Sequence, residues 1–247
     1  MHILKRNVFV LLLSSVFFLF SSCESAAQLT KILEQASGNP SNSEISAGIK
    51  EALEKGTGIS ADRLSAEDGF LGNLDVKILF PEEAKKVENT LRNIGLGKLC
   101  DDVILSLNRA AEDASNEAKP IFTAAIKQMT LRDVQDILLG EKNAATLYFE
   151  RTTTDSLTVK FAPIIDQSLT KVNATKYWGD VIERYNQVPF VKKVDTDLGA
   201  YVTQKAIDGL FVEIAKEELK IRENISARTS PLLQKVFGFA ERQRKYD

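Results

Sequence analysis

DLGAYVTQKAIDGLFVEIAKEELKI, residues 197–221, settles the fold class. Its apolar residues Leu198, Tyr201, Val202, Ile207, Leu210, Phe211, Ile214 and Ile221 recur at steps of three and four, which winds them into one wide stripe on a helix. The same steps recur toward the N-terminus. A long stretch beyond Asn143 runs through Leu147, Leu157, Phe161, Ile165 and Leu169, with a kink expected at Pro163. Thr130 caps the helix before it, which ends at Gly140, and Pro120 begins or kinks another carrying Ile121, Phe122, Ala125 and Ile126. A helix from about Lys98 carries Val103, Leu107, Ala110 and Ala114. Pro81-Glu82-Glu83 places Pro at a first helical position and acids at the positive end of the dipole; Ala84, Val87, Leu91 and Ile94 follow, and Gly95 stops the helix. Ser41-Asn42-Ser43-Glu44 reads as a capping box opening a helix with Ile45, Ile49 and Leu53 on one face. The pattern predicts an all-α, multi-helix bundle.

One stretch departs from the helical period. Val76-Lys77-Ile78-Leu79-Phe80 alternates like a strand after the turn-rich Glu67 to Asn73, and Pro81 closes it. A lone strand has no partner, so residues 74–80 are expected to form an extended arm across the helices or half of a small hairpin. The charged tail from Glu241 to Asp247 is expected to fray.

The first two dozen residues carry an address. Lys5 and Arg6 form a basic region, Val8 to Phe20 a short apolar run, and Ser21-Ser22-Cys23 ends it with small residues and a cysteine. The run fits the ~7–15 residues of a signal h-region and falls short of the ~20 that span a bilayer. The pattern resembles the bacterial lipobox, with Phe20 where that pattern prefers Leu, and it implies lipidation of Cys23; the alternative is an ordinary signal peptide cleaved nearby. Residues 1–22 are thus read as the signal, 23–40 as a tether or first helix, and 41–247 as one helical domain. Export with a lipid anchor places the chain at the bacterial cell envelope, periplasmic or surface-exposed.

What is missing excludes more than what is present. Removing residues 1–22 leaves 225 of the 247 residues, and 30 basic residues against 34 acidic ones, a net charge of −4. No basic face suggests nucleic acid. The only histidine, His2, lies inside the signal, which removes the usual general base and most zinc and di-iron sites. No cofactor or metal is expected. If Cys23 carries lipid, Cys100 has no disulfide partner, and its neighbours Asp101 and Asp102 disfavour a thiolate; it reads as a buried small apolar residue.

The short motifs read as structure. Ser168-Leu169-Thr170-Lys171 matches Ser-x-x-Lys, but its companion elements are missing, since Lys55-Gly56-Thr57-Gly58 has an intervening residue and is read as a helix end. Gly95-Leu96-Gly97-Lys98 lacks the strand and the Ser or Thr of a phosphate loop and reads as a turn between helices. Asp195-Thr196-Asp197 reads as helix capping, and the adjacent pairs Asp101-Asp102 and Glu217-Glu218 as solvated faces or dipole partners. Phe122, Phe149, Phe161, Phe211 and Phe237 are most economically core; a second reading has them line a cavity for a lipid-like ligand.

Several segments together resemble one family of exported bacterial proteins, the domain-of-unknown-function family forty-one ninety-seven. They are Ser43 to Gly48, Asp68-Gly69-Phe70-Leu71-Gly72-Asn73, Gly95 to Leu99 running on to Asn108-Arg109-Ala110-Ala111-Glu112, Ala118 to Phe122, Tyr201 to Phe211, and Ala227-Arg228-Thr229. Ile225 stands where the family usually has Pro, which is expected to extend the preceding helix. The resemblance implies fold class and export, and no catalytic residues. Its segments point to Asn108, Arg109 and Glu112 on one helix and to Lys205 and Asp208 on another, as either a buried network that fixes register or a pocket; the network is the favoured reading.

The functional expectation is a membrane-tethered domain, not an enzyme, binding a protein partner or an apolar ligand at the envelope. The alternative is a periplasmic hydrolase using carboxylates or the Ser168/Lys171 pair.

Overall fold

The computed structural model describes residues 38–187, 193 and 197–244. Residues 1–37, which include the expected signal, Cys23 and the expected tether, lie outside the described residues, as do Asp195 and Thr196. Among the described residues there are nine α-helices and no strand. They are α1 (Asn42–Ser65), α2 (Lys85–Asn93), α3 (Gly97–Ser115), α4 (Ala118–Gln128), α5 (Leu131–Leu139), α6 (Ala144–Lys171), α7 (Ala174–Asn186), α8 (Leu198–Glu223) and α9 (Pro231–Gln243).

The apolar stripe of residues 198–221 makes α8 the centre of the bundle, packed on α6, α1 and α3. Close approach is bought with small residues. A Cβ on Gly209 would stand 2.6 Å from the Phe70 ring, and one on Gly48 would stand 2.8 Å from Val236 of α9. Phe122, Phe149 and Phe161 are fully buried, and Phe211 and Phe237 nearly so. Each such ring contributes about 2–3 kcal/mol by leaving water, and Phe122 meets Phe149 edge to face at 5.2 Å. The Phe-rich faces are therefore core. An interior cavity beside Phe149 and Phe237 holds about 30 Å³, room for a water molecule and not for an acyl chain, which corrects the reading of these faces as lipid-lined.

Helix ends follow their capping chemistry. Ser41 and Glu44 form a complete capping box on α1, and Thr130 and Asp133 form one on α5. Gly95, at φ +88°, turns the chain between α2 and α3. Pro120 falls in the first turn of α4, where its missing N–H leaves no bond unmade. Pro163 lies inside α6, which continues through it as one helix to Lys171.

Several boundaries differ from the sequence reading, each for a local reason. Glu82–Ala84 form a 3₁₀ turn, and the α-helix starts at Lys85. Lys55 to Gly58 sit within α1, where Thr57 and Ser60 hydroxyls bond back to the carbonyls of Leu53 and Gly56. Ile225 begins a 3₁₀ turn after Asn224 and does not extend α8. The tail is helical to Gln243, because Glu241 pairs with Arg228 and Arg244 donates to the carbonyls of Leu138 and Gly140. Of the stretch 74–80, residues 74–76 continue the turn that Asn73 opens, its carbonyl accepting from Val76 N and Lys77 N, and only 77–80 run as an arm; no hairpin partner exists among the described residues.

Candidate functional site

The polar residues singled out by sequence divide into two groups. Asn108, Arg109 and Glu112 on α3 face the connection between α1 and α2. Asn108 Oδ1 accepts from Ile78 N at 2.8 Å, and its Nδ2 donates to Ile78 O at 2.8 Å and Ile104 O at 2.7 Å. Glu112 Oε1 accepts from the backbone N–H of Phe70 (3.0 Å) and Leu71 (3.3 Å), and its Oε2 accepts from Arg109 at 2.5 Å. Arg109 also reaches Asp68, which lies at φ +64°. Lys205 and Asp208 are not part of this cluster. They lie half-exposed on α8, 3.8 Å from each other.

Around the cluster stand residues the sequence reading left out. Buried Glu213 accepts from Arg63 (2.5 Å), Asn73 (3.0 Å) and Lys216 (2.7 Å). Burial pushes its carboxyl up, but these three hydrogen bonds outweigh it and hold it below the usual carboxylate range. Glu217 and Glu218 are buried, which corrects their reading as solvated. Glu217 meets Arg63 at 3.0 Å. Glu218 sits at the positive end of α6, accepting from Ala145 N, Thr146 N and Thr146 Oγ1, each at 2.9 Å. Arg222, one turn on, meets Glu218 at 2.7 Å and donates to Ile137 O at the negative end of α5. One ion pair thus stitches the end of α5 to the start of α6 through α8. A signal existed: Glu213, Glu217, Glu218 and Arg222 interrupt an apolar stripe, where an ionic group must be paired.

These networks consume their own donors and acceptors. Every carboxylate oxygen of Glu112 and Glu218 already has a partner, so the cluster is built to hold chain segments. Among the described residues no group of three or more His, Cys, Asp or Glu can hold a metal ion. Lys171 is exposed, and the Ser168 hydroxyl donates to Asp113 at 3.0 Å. That places Ser168 with a carboxylate.

Uncommitted chemistry lies instead on the outer side of α4 and α6, in a groove of about 790 Å³. Ile121, Ala124 and Ala125 of α4 form one wall, and Thr152, Asp155, Ser156 and Val159 of α6 the other. The small residues keep the floor low. At one end Tyr148 donates to Ala125 O at 3.1 Å, which burial favours by pushing the phenol up, and Arg151 stacks 5.7 Å from its ring centroid.

A family model described as "Protein of unknown function (DUF4197)" matches residues 39–238. The chain belongs to the DUF4197 family. Comparison with curated proteins and with solved structures yields no match. The DUF4197 match takes in all of α1 to α8, the arm and its clamps, and the groove, and ends within α9. No helix among the described residues is long and apolar enough to cross a membrane.

Proposed function

We propose that this DUF4197 chain is a lipid-anchored binding domain of the bacterial cell envelope that receives an amphipathic helix of a partner protein in the groove between α4 and α6. The observation that carries this reading is the groove's own periodicity. Its lining returns once per turn on both helices: Pro120/Ile121, Ala124/Ala125 and Gln128 along α4, and Tyr148, Arg151/Thr152, Asp155/Ser156 and Val159/Lys160 along α6. Two parallel ridges of that kind offer the seat into which a third helix packs, its apolar face down and its polar face toward the rim charges of Asp155, Arg151 and Lys160. The volume of about 790 Å³ suits part of such a helix.

The anchor is supported by the basic, apolar and Ser21-Ser22-Cys23 succession at the N-terminus. A lipidated cysteine with two or more acyl chains holds a domain at a membrane, at ~0.8 kcal/mol per buried methylene. Fractionation tests it: the native chain sediments with membranes and incorporates labelled fatty acid, whereas Cys23→Ser does neither. A Cys23→Ser chain that still sediments with membranes and carries label refutes the anchor. The hydrolase alternative has no comparable support, since Lys171 is solvent-exposed and Ser168 is bonded to Asp113.

A further inference from the structure

The outward crest of α6 carries a pattern of its own beside the groove. Leu147, Arg151, Asp155 and Val159 follow one another at steps of four, so they stand in one row along the helix, each about 6 Å further up it. Leu147 is 50% exposed and Val159 73%, in a helix that buries Phe149, Leu157, Phe161 and Ile165 completely. Single exposed aliphatic residues are ordinary, but these two flank a pair of opposite charges at equal distance.

The two charges between them are uncommitted. The Arg151 side chain is 69% exposed, and the carboxylate it meets, Asp133, lies 4.0 Å away and is already held by Thr130 as the cap of α5. Asp155 is exposed and makes no hydrogen bond or ion pair among the described residues. Although one turn apart, Arg151 and Asp155 do not pair with each other; a cation one turn before an acid is the poorer order for a pair within a helix.

The row is its own complement. Apolar, cation, anion, apolar becomes apolar, anion, cation, apolar when read from the other end, and both the Leu147/Val159 and the Arg151/Asp155 spacings are centred on residue 153. We propose that this crest is an interface between two copies of the chain. A second α6, antiparallel across a twofold axis at the level of Thr153, sets Arg151 of each copy against Asp155 of the other and Leu147 against Val159. Rows at steps of four are the ridges by which helices commonly pack, and a twofold interface requires this reciprocity. A parallel copy would set Arg151 on Arg151 and Asp155 on Asp155, so the charges also select the direction. Arg151 and Asp155 border the groove as well, so the pair is the arrangement of a chain whose groove is empty. The interface rests neither on the groove reading nor on the lipid anchor.

Cysteines at the two ends of the row read its register. Within one chain residues 147 and 159 lie about 18 Å apart along the helix, too far for a short bismaleimide, whereas across the twofold they are neighbours. In the processed chain, purified in mild detergent, Leu147→Cys/Val159→Cys is expected to crosslink to a dimer. Leu147→Cys alone, Val159→Cys alone and the native chain are expected to give several-fold less. Arg151→Asp added to the double-cysteine chain sets acid against acid and lowers the dimer yield several-fold. Adding Asp155→Arg as well restores it, because every pair between the copies is then reversed and remade. Circular dichroism confirms unchanged helical content in each variant. No dimer from the double-cysteine chain, or an equal yield from either single cysteine, overturns the proposal. So does a folded Arg151→Asp/Asp155→Arg chain that pairs no better than Arg151→Asp.

Discussion

Asn108 holds Ile78 as a neighbouring β-strand would: its side-chain amide accepts from the Ile78 N–H and donates to the Ile78 carbonyl, both at 2.8 Å. A helix side chain thereby satisfies both backbone groups of a buried extended residue, and the arm needs no second strand. The same α3 face supplies Glu112, one turn on, for Phe70 and Leu71, so one helix holds the connection between α1 and α2 at two places.

Asn108→Leu leaves the Ile78 groups buried and unpaired. It is expected to cost about 2–6 kcal/mol, at about 1–3 kcal/mol for each of the two orphaned groups. Chemical denaturation measures this, and faster amide exchange at Ile78 than in the core of α8 places the loss in the arm. A cost below about 0.5 kcal/mol contradicts the clamp.

Gly209 exists for Phe70. A methyl group on residue 209 would stand 2.6 Å from the ring, so Gly209→Ala is expected to destabilise by about 1–3 kcal/mol through overpacking. Phe70→Leu shortens the obstacle. The double variant Gly209→Ala/Phe70→Leu is therefore less destabilised than the two single costs added, a coupling of about 0.5–2 kcal/mol in a double-mutant cycle.

The Glu218–Arg222 pair behaves as a unit. Arg222→Met strands a buried carboxylate and frees the Ile137 carbonyl, with an expected loss of about 3–5 kcal/mol. Equilibrium unfolding of the single and paired variants separates the terms: Glu218→Gln with Arg222→Met is expected to recover part of the loss, because no unpaired charge remains.

Acid weakens the fold in a defined window. Hydrogen bonds from Lys235 and Ser41 hold the Glu44 carboxyl down at about 2, and Glu213 is held below its usual range by Lys216, Arg63 and Asn73 against the opposing effect of burial. A folded pKa below the unfolded ~4.3 gives stabilisation that is complete above that value and disappears as pH falls through the folded value. Urea melts between pH 7 and pH 2 are expected to show stability falling from about pH 4.3 downward. Lys235→Met removes the largest cause at Glu44 and flattens that slope; curves of equal slope in both proteins would contradict the assignment.

The helices were legible because each apolar face keeps its period and its caps: Ser41 with Glu44, and Thr130 with Asp133, declare their helix starts outright. That the chain leaves the helical period at residues 74–80 was legible from alternation, although residues 74–76 turn and only 77–80 form the arm. Its partner was not, since a single Asn108 thirty residues away carries no periodic signal. Pairs such as Arg63 with Glu213, or Glu218 with the start of α6, join residues 150 and 73 positions apart, and spacing rules speak only of neighbours within a helix. Lys205 and Asp208 shared a segment with Gly209, yet only the glycine faces the interior; their spacing read a local ion pair as a cluster. The groove between α4 and α6 arises from how two helices diverge around small residues, which neither helix records alone.

The most direct test of the proposed binding role is site-specific photocrosslinking in intact cells, with a photoreactive residue at Ala124 or Ser156 in the groove and at Lys205 as a control on α8. The account predicts one discrete crosslinked partner from both groove positions and none from Lys205, lost when Thr152→Trp blocks the groove in a chain whose helical content is unchanged. No adduct from the groove, or the same adduct from Lys205, would contradict it.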